Sequence, residues 1–115
     1  MTMADQGQQS STTRLILPLP GNEAFAQRLA DHGGWELGAM ETRRFPDGET
    51  YVRLLSDVKN KVVDLVCTLA RPDDGFLRLI FTADAARDLG ARQVNLIAPY
   101  LSYMRQDRRF QPGEA

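Results

Sequence analysis

Three short apolar runs punctuate this chain: LILPL at residues 15–19, VVDLVC at 62–67 and VNLIA at 94–98. None alternates polar with apolar, and none is long enough for a helix. Each reads as a strand buried on both faces, as in a parallel sheet. Between the runs the spacing changes. After the first, Gly21 makes a turn and Asn22 is placed to cap a helix in which Phe25, Ala26, Leu29 and Ala30 recur at helical intervals; Gly33 and Gly34 stop it. After the second, Pro72, Asp73 and Asp74 suit a first helical turn. Phe76, Leu77, Ile80, Phe81 and Ala85 then form an apolar stripe, and Gly90 ends the helix.

The stretch between the first helix and the second apolar run is different. Residues 35–44 are extended and mixed, Pro46-Asp47-Gly48 is a turn signal, and TYVRL at 50–54 reads as another strand. The predicted order is strand, helix, two extended segments, strand, helix, strand. Strands joined by helices make βαβ units, hence an α/β fold with a parallel sheet and right-handed crossovers. Ligands of such sheets bind beyond the carboxyl ends of the strands. The LARPDD turn after 62–67 and the PYLSYMRQDRR stretch after 94–98 therefore open on the same rim.

Length and charge narrow the picture. A chain of 115 residues is one domain at most. Its formal net charge of −1 gives no global attraction to nucleic acid or to an anionic membrane, so neither is expected as a partner. Basic character is local, at Arg105, Arg108 and Arg109. No apolar run approaches the ~20 residues of a membrane span, and the polar start has no secretory apolar region. Residues 1–13 are expected to be a disordered polar tail and 14–115 the folded domain. The single cysteine, Cys67, excludes an internal disulfide. Within its apolar run it reads as a buried, inert thiol, and a cytoplasmic location fits.

Two clusters carry recognition chemistry. In Arg105-Gln106-Asp107-Arg108-Arg109, guanidinium forks match phosphate oxygens, glutamine offers the donor and acceptor that adenine needs, and aspartate orients an arginine or a metal-bound water. The same residues also make a solvated turn with internal ion pairs. In RRFPDGET, residues 43–50, the turn sets Phe45 beside Asp47 and Glu49. That suits a stacked purine and ribose hydroxyls, and it equally suits an ordinary hairpin with a solvent-facing acid pair. Asp73 and Asp74 read as helix-capping acids, and His32 as a surface residue favoured by the helix C-terminus. There is no phosphate-loop lysine motif, no dinucleotide glycine fingerprint and no Cys/His metal set. No nucleophile–base pair is recognisable.

RRFPDGETYVRL, then PDD opening a helix, then NLIAPYLSYMRQDRRFQPGEA together resemble ribose-phosphate pyrophosphokinases (phosphoribosyl pyrophosphate synthetases), and the similarity covers almost all of residues 14–115. The resemblance implies the type I phosphoribosyltransferase-like fold and the amino-terminal part of an enzyme that converts Mg-ATP and ribose 5-phosphate to phosphoribosyl pyrophosphate and AMP. It implies ATP contacts from Phe45, Asp47, Gly48 and Glu49 of one subunit and from Arg105 and Gln106 of a neighbour in a homo-oligomer, with Asp107 and Arg109 continuing the motif. The family's catalytic histidine motif, its lysine-bearing loop and its glycine-rich ribose-phosphate loop lie later and do not occur in these residues. Catalytic residues and magnesium ligands are thus expected outside these residues, the carboxyl-terminal domain is expected to be absent from them, and the 115 residues alone are expected to be inactive. An alternative is a non-catalytic module that binds nucleotide or joins full-length enzyme as a regulatory subunit; a remoter one is a flavodoxin-like signalling domain. Two departures stand out: Phe110, where the family often has aspartate, and Ser56-Asp57-Val58-Lys59-Asn60 in place of Glu-Ser-Val-Arg-Gly. The second implies loss of the usual phosphate and ADP regulation.

Overall fold

The structure is a computed structural model that describes residues 13–69, 72–99 and 111–113, with backbone alone at 72–74. Its elements are β1 (Thr13–Pro18), α1 (Glu23–Gly33), β2 (Glu36–Leu37), β3 (Met40–Arg44), β4 (Thr50–Leu54), β5 (Lys61–Val66), α2 (Pro72–Asp88) and β6 (Gln93–Ile97). A four-stranded parallel sheet runs β2-β1-β5-β6, and β3 and β4 form a separate antiparallel hairpin. The expected alternation of strands and helices is present, with strand ends shifted by one or two residues.

β1 and β5 are central and buried on both faces, as their nearly continuous apolar runs lead one to expect. Alternation sorts their side chains. Leu15, Leu17 and Leu19 meet Val63, Leu65 and Cys67 on one face, where Leu79 and Ala83 of α2 and Met40 and Leu54 of the hairpin cover them. Ile16 and Val66 face the other way, against Ala26, Ala30 and Leu29 of α1. Each fully buried Leu, Ile or Val contributes about 1.5–3 kcal/mol, so this two-faced strand pair is the core of the fold.

The α1 face also carries a polar centre. Asp64, only 3% exposed, accepts from Arg14 and, at 2.9 Å, from Asn95 Nδ2 on the neighbouring strand. Arg14 lies on the Trp35 ring, 5.5 Å from its centroid. Burying a carboxylate is tolerated because each of its oxygens has a partner.

Two expectations are corrected. Asn22 does not cap α1 with its side chain. Its backbone carbonyl starts the helix by accepting from the Ala26 N–H at 3.0 Å, while the buried side chain is held by the Leu19 carbonyl and by Thr68. The apolar stripe read on the second helix is not its inward face. Phe76, Leu77 and Phe81 are exposed, and among the described side chains of α2 Thr82 and Ala86 are fully buried. Small residues let the helix sit close to the sheet, and the larger ones are displaced to its flank. Gly34 ends α1 at φ 68°, as expected of a helix-terminating glycine. Among the described residues no helix is long and apolar enough to cross a membrane.

Candidate functional site

The hairpin turn brings the first cluster together. Arg44 pairs with Thr50, Phe45 N donates to the Glu49 carbonyl at 2.8 Å, and Gly48 N donates to the Phe45 carbonyl at 2.8 Å. Pro46 occupies the place in this turn where a fixed φ near −65° is wanted. Gly48 sits at φ 93°, a conformation glycine adopts without strain. Asp47 Oδ1 accepts from the Glu49 N–H at 3.0 Å, which commits one carboxylate oxygen to the turn and leaves the other available. Arg44 reaches back to donate to the Gly48 carbonyl at 3.3 Å.

This rigid turn presents Phe45, 39% exposed, at the tip. Two cavities flank it. One, of about 390 Å³, is lined by Phe45, Pro46, Asp47 and Glu49. The other, of about 540 Å³, lies between the turn and α2 and is lined by Arg44, Asp47, Gly48, Glu49, Thr50, Leu77 and Phe81. All four site residues expected on this loop therefore border open space. The sequence reading placed Leu77 and Phe81 on an apolar stripe and gave them no role at the site; their spacing of four on a helix flanked by small residues was the available signal.

The other rim elements are also defined. At the carboxyl end of β5, Thr68 donates from N and Oγ1 to Asn22 Oδ1, at 3.1 and 2.7 Å, joining the β1 and β5 loops. Cys67 is buried beside them, and its burial pushes the thiol pKa up against the opposing effect of the Arg78 charge. His32 is exposed in the last turn of α1. Arg105, Gln106, Asp107 and Arg109 lie outside the described residues, as does Phe110. Among the described residues no three His, Cys, Asp or Glu side chains are grouped as a metal site would need, so no magnesium ligand is assigned to them.

The family whose profile matches residues 15–115 is described as the N-terminal domain of ribose phosphate pyrophosphokinase. A ribose-phosphate pyrophosphokinase of Methanopyrus kandleri is 42% identical over 101 residues, covering 87% of this chain and 34% of the relative. One from Saccharolobus solfataricus is 48% identical over 77 residues, covering 66% of this chain and 26% of the relative. The chain thus spans about a third or less of the length of these curated relatives. Among solved structures, phosphoribosylpyrophosphate synthetase from Mycobacterium smegmatis superposes with a TM-score of 0.76 at 21% identity, over 90% of this chain and 35% of that one. A purine phosphoribosyltransferase from Pyrococcus horikoshii superposes at 0.54 with 18% identity, over 88% of this chain and 72% of that one. These two likenesses establish the type I phosphoribosyltransferase-like fold.

Proposed function

The chain belongs to the family of N-terminal domains of ribose phosphate pyrophosphokinase, and from that premise we propose that its β3–β4 turn is an ATP-binding loop in the transfer of diphosphate from Mg-ATP to ribose 5-phosphate. In that reaction the sugar's C1 hydroxyl oxygen forms a bond to the β-phosphorus. The bond from that phosphorus to the α,β-bridging oxygen breaks, AMP leaves, and the hydroxyl proton is lost. Enzymes of phosphoryl transfer work chiefly by positioning and charge neutralisation. In our reading Phe45 packs on the adenine ring. The free Asp47 oxygen and Glu49 accept from nucleotide donors, and the Gly48 backbone allows close approach. Arg105 and Gln106, from a neighbouring copy, meet phosphate and the base edge, with Asp107 and Arg109 completing that loop. Magnesium enters with the ATP phosphates, and no step is assigned to a metal held by these residues.

The observation that carries the reading is the turn itself. Its hydrogen bonds hold an exposed aromatic ring and a half-committed carboxylate around a cavity of about 390 Å³. That volume lies within the ~300–1,000 Å³ of small-molecule sites. The test is titration of the 115-residue chain with ATP, followed by amide shifts in an NMR spectrum. Shifts centred on residues 44–50, lost in Phe45→Ala, are expected. Shifts centred elsewhere, or unchanged in Phe45→Ala, would refute the reading. With ribose 5-phosphate and magnesium added, the chain alone is expected to release no AMP.

A further inference from the structure

Phe45 has two neighbours to which the turn motif gives no role. Arg43 and Phe45 stand two residues apart, so their side chains share one face of the hairpin. Tyr51 is the register partner of Arg43 on β4 and rises on that same face. The Arg43 guanidinium carbon is 4.4 Å from the Tyr51 ring centroid and 5.3 Å from that of Phe45. Both distances are inside the ~6 Å reach of a cation–π contact. The two rings meet edge to face, with centroids 5.8 Å apart and planes at 86°. The 390 Å³ cavity beside Phe45 takes its walls from Pro46, Asp47 and Glu49, and neither Arg43 nor Tyr51 lines it.

We propose that Arg43, itself held by Tyr51, is a positioning residue that backs the Phe45 ring for a purine base in this cavity; the inference rests on the base-binding reading of Phe45 given above. A phenylalanine at an exposed loop tip would otherwise sample several rotamers, and ordering it would weaken binding. The Arg43 cation and the Tyr51 ring select one. The cation also draws on the π-density of the ring, so the open part of the ring becomes a better partner for an electron-rich purine. Arg43 acts through Phe45 and makes no contact with the base itself.

This separates Arg43 from a residue that binds phosphate. Adenosine, which carries none, and ATP are each titrated into the 115-residue chain by NMR. In Arg43→Gln both affinities should fall by the same factor, about 3–5-fold as an exposed cation–π contact allows. Arg43→Lys should recover part of the loss, and Tyr51→Phe should bind as the wild type does. Side-chain relaxation of Phe45 in the free protein should show greater ring mobility in Arg43→Gln, with the amide shifts of residues 40–54 otherwise retained. Unchanged adenosine affinity in Arg43→Gln, whether or not ATP weakens, would overturn the proposal, and so would unchanged Phe45 mobility. If Phe45→Ala abolishes adenosine binding while Arg43→Gln leaves it intact, the base-binding reading stands and only this inference fails. If adenosine binding survives Phe45→Ala, or the wild type binds no adenosine, both fail.

Discussion

Asn22 and Thr68 tie the loop after β1 to the loop after β5 across 46 positions of sequence. Asn22 Oδ1 accepts twice from Thr68, and Asn22 Nδ2 donates to the Leu19 and Pro20 carbonyls, both at 3.2 Å. Asn22 is 6% exposed, so its own amide is largely shielded from water and relies on these partners. The contact fixes the spacing of two loops on the rim where ligands of parallel sheets bind.

Asn22→Ala removes a buried side chain that makes four hydrogen bonds, two of them to the exposed Thr68, and should therefore cost about 1–3 kcal/mol. Thr68→Val, which loses only the hydroxyl, should cost about 0.5–1.5 kcal/mol. Urea unfolding of both single variants and the double variant checks the relationship. The double should be less destabilised than the sum, with a coupling of about 0.5–3 kcal/mol. Strict additivity would show that the two side chains do not share an interaction.

The polar centre on the α1 face gives a second expectation. Asp64→Ala leaves the Asn95 amide without its acceptor and Arg14 without its counter-ion. Because the Arg14 side chain is 35% exposed and can turn to water, the cost should be below the ~3–5 kcal/mol typical of a fully buried pair. About 2–3 kcal/mol is expected from the hydrogen bonds to a charged group. Asn95→Ala should cost less, since the carboxylate keeps its arginine. Denaturant midpoints for the two variants decide this, and the reverse order would place the energy in the amide contact.

The fold was readable because β1 and β5 are nearly continuously apolar, Asp64 apart, as a short strand covered on both faces is expected to be. The hairpin turn was readable because Pro46, Asp47 and Gly48 each meet a distinct backbone demand. The Asn22 side chain was misassigned for a physical reason. Capping propensity is local, whereas the partner of its side-chain oxygen, Thr68, lies 46 residues away and only tertiary packing brings it near. The stripe on α2 failed in a similar way. Helical periodicity shows that Phe76, Leu77 and Phe81 are near one another, but it does not show whether their own sheet covers them. The Arg43–Tyr51 stack was accessible from the hairpin register, which the turn length sets; residues 100–110 lie outside the described residues.

The exposed flank of α2 is accordingly expected to be nearly neutral for folding. Phe76 is 45% and Leu77 53% exposed. Leu77→Gln and Phe76→Gln should each change unfolding free energy by no more than about 1 kcal/mol, whereas Ala86→Leu, at a fully buried position, should cost about 1–3 kcal/mol. Thermal melts compare them directly. If the two glutamine variants proved as damaging as Ala86→Leu, this flank would belong to the core after all.

Cys67 supplies a pH dependence with a definite sign. Burial raises its pKa above the ordinary value of 9.0, and the nearby Arg78 charge opposes but does not cancel that rise. A raised thiol pKa means that the folded protein keeps its proton where the unfolded chain has lost it. The contribution to stability is thus complete below 9.0 and is lost as pH rises through the folded-state value, with a slope of at most about 1.4 kcal/mol per pH unit. The measurement is urea unfolding of the wild type and Cys67→Ala at a series of pH values from 7 to 10.5. Groups common to the two proteins contribute alike, so their effects cancel in the difference. That difference should be constant up to about pH 8 and should fall above pH 9. Alkylation of the folded protein should likewise be slow at neutral pH and accelerate on unfolding, as expected of a thiol with little thiolate character. A difference that stays constant to pH 10.5, or a thiol that reacts as fast folded as unfolded, would show that Cys67 is open to solvent and that burial does not govern its ionisation.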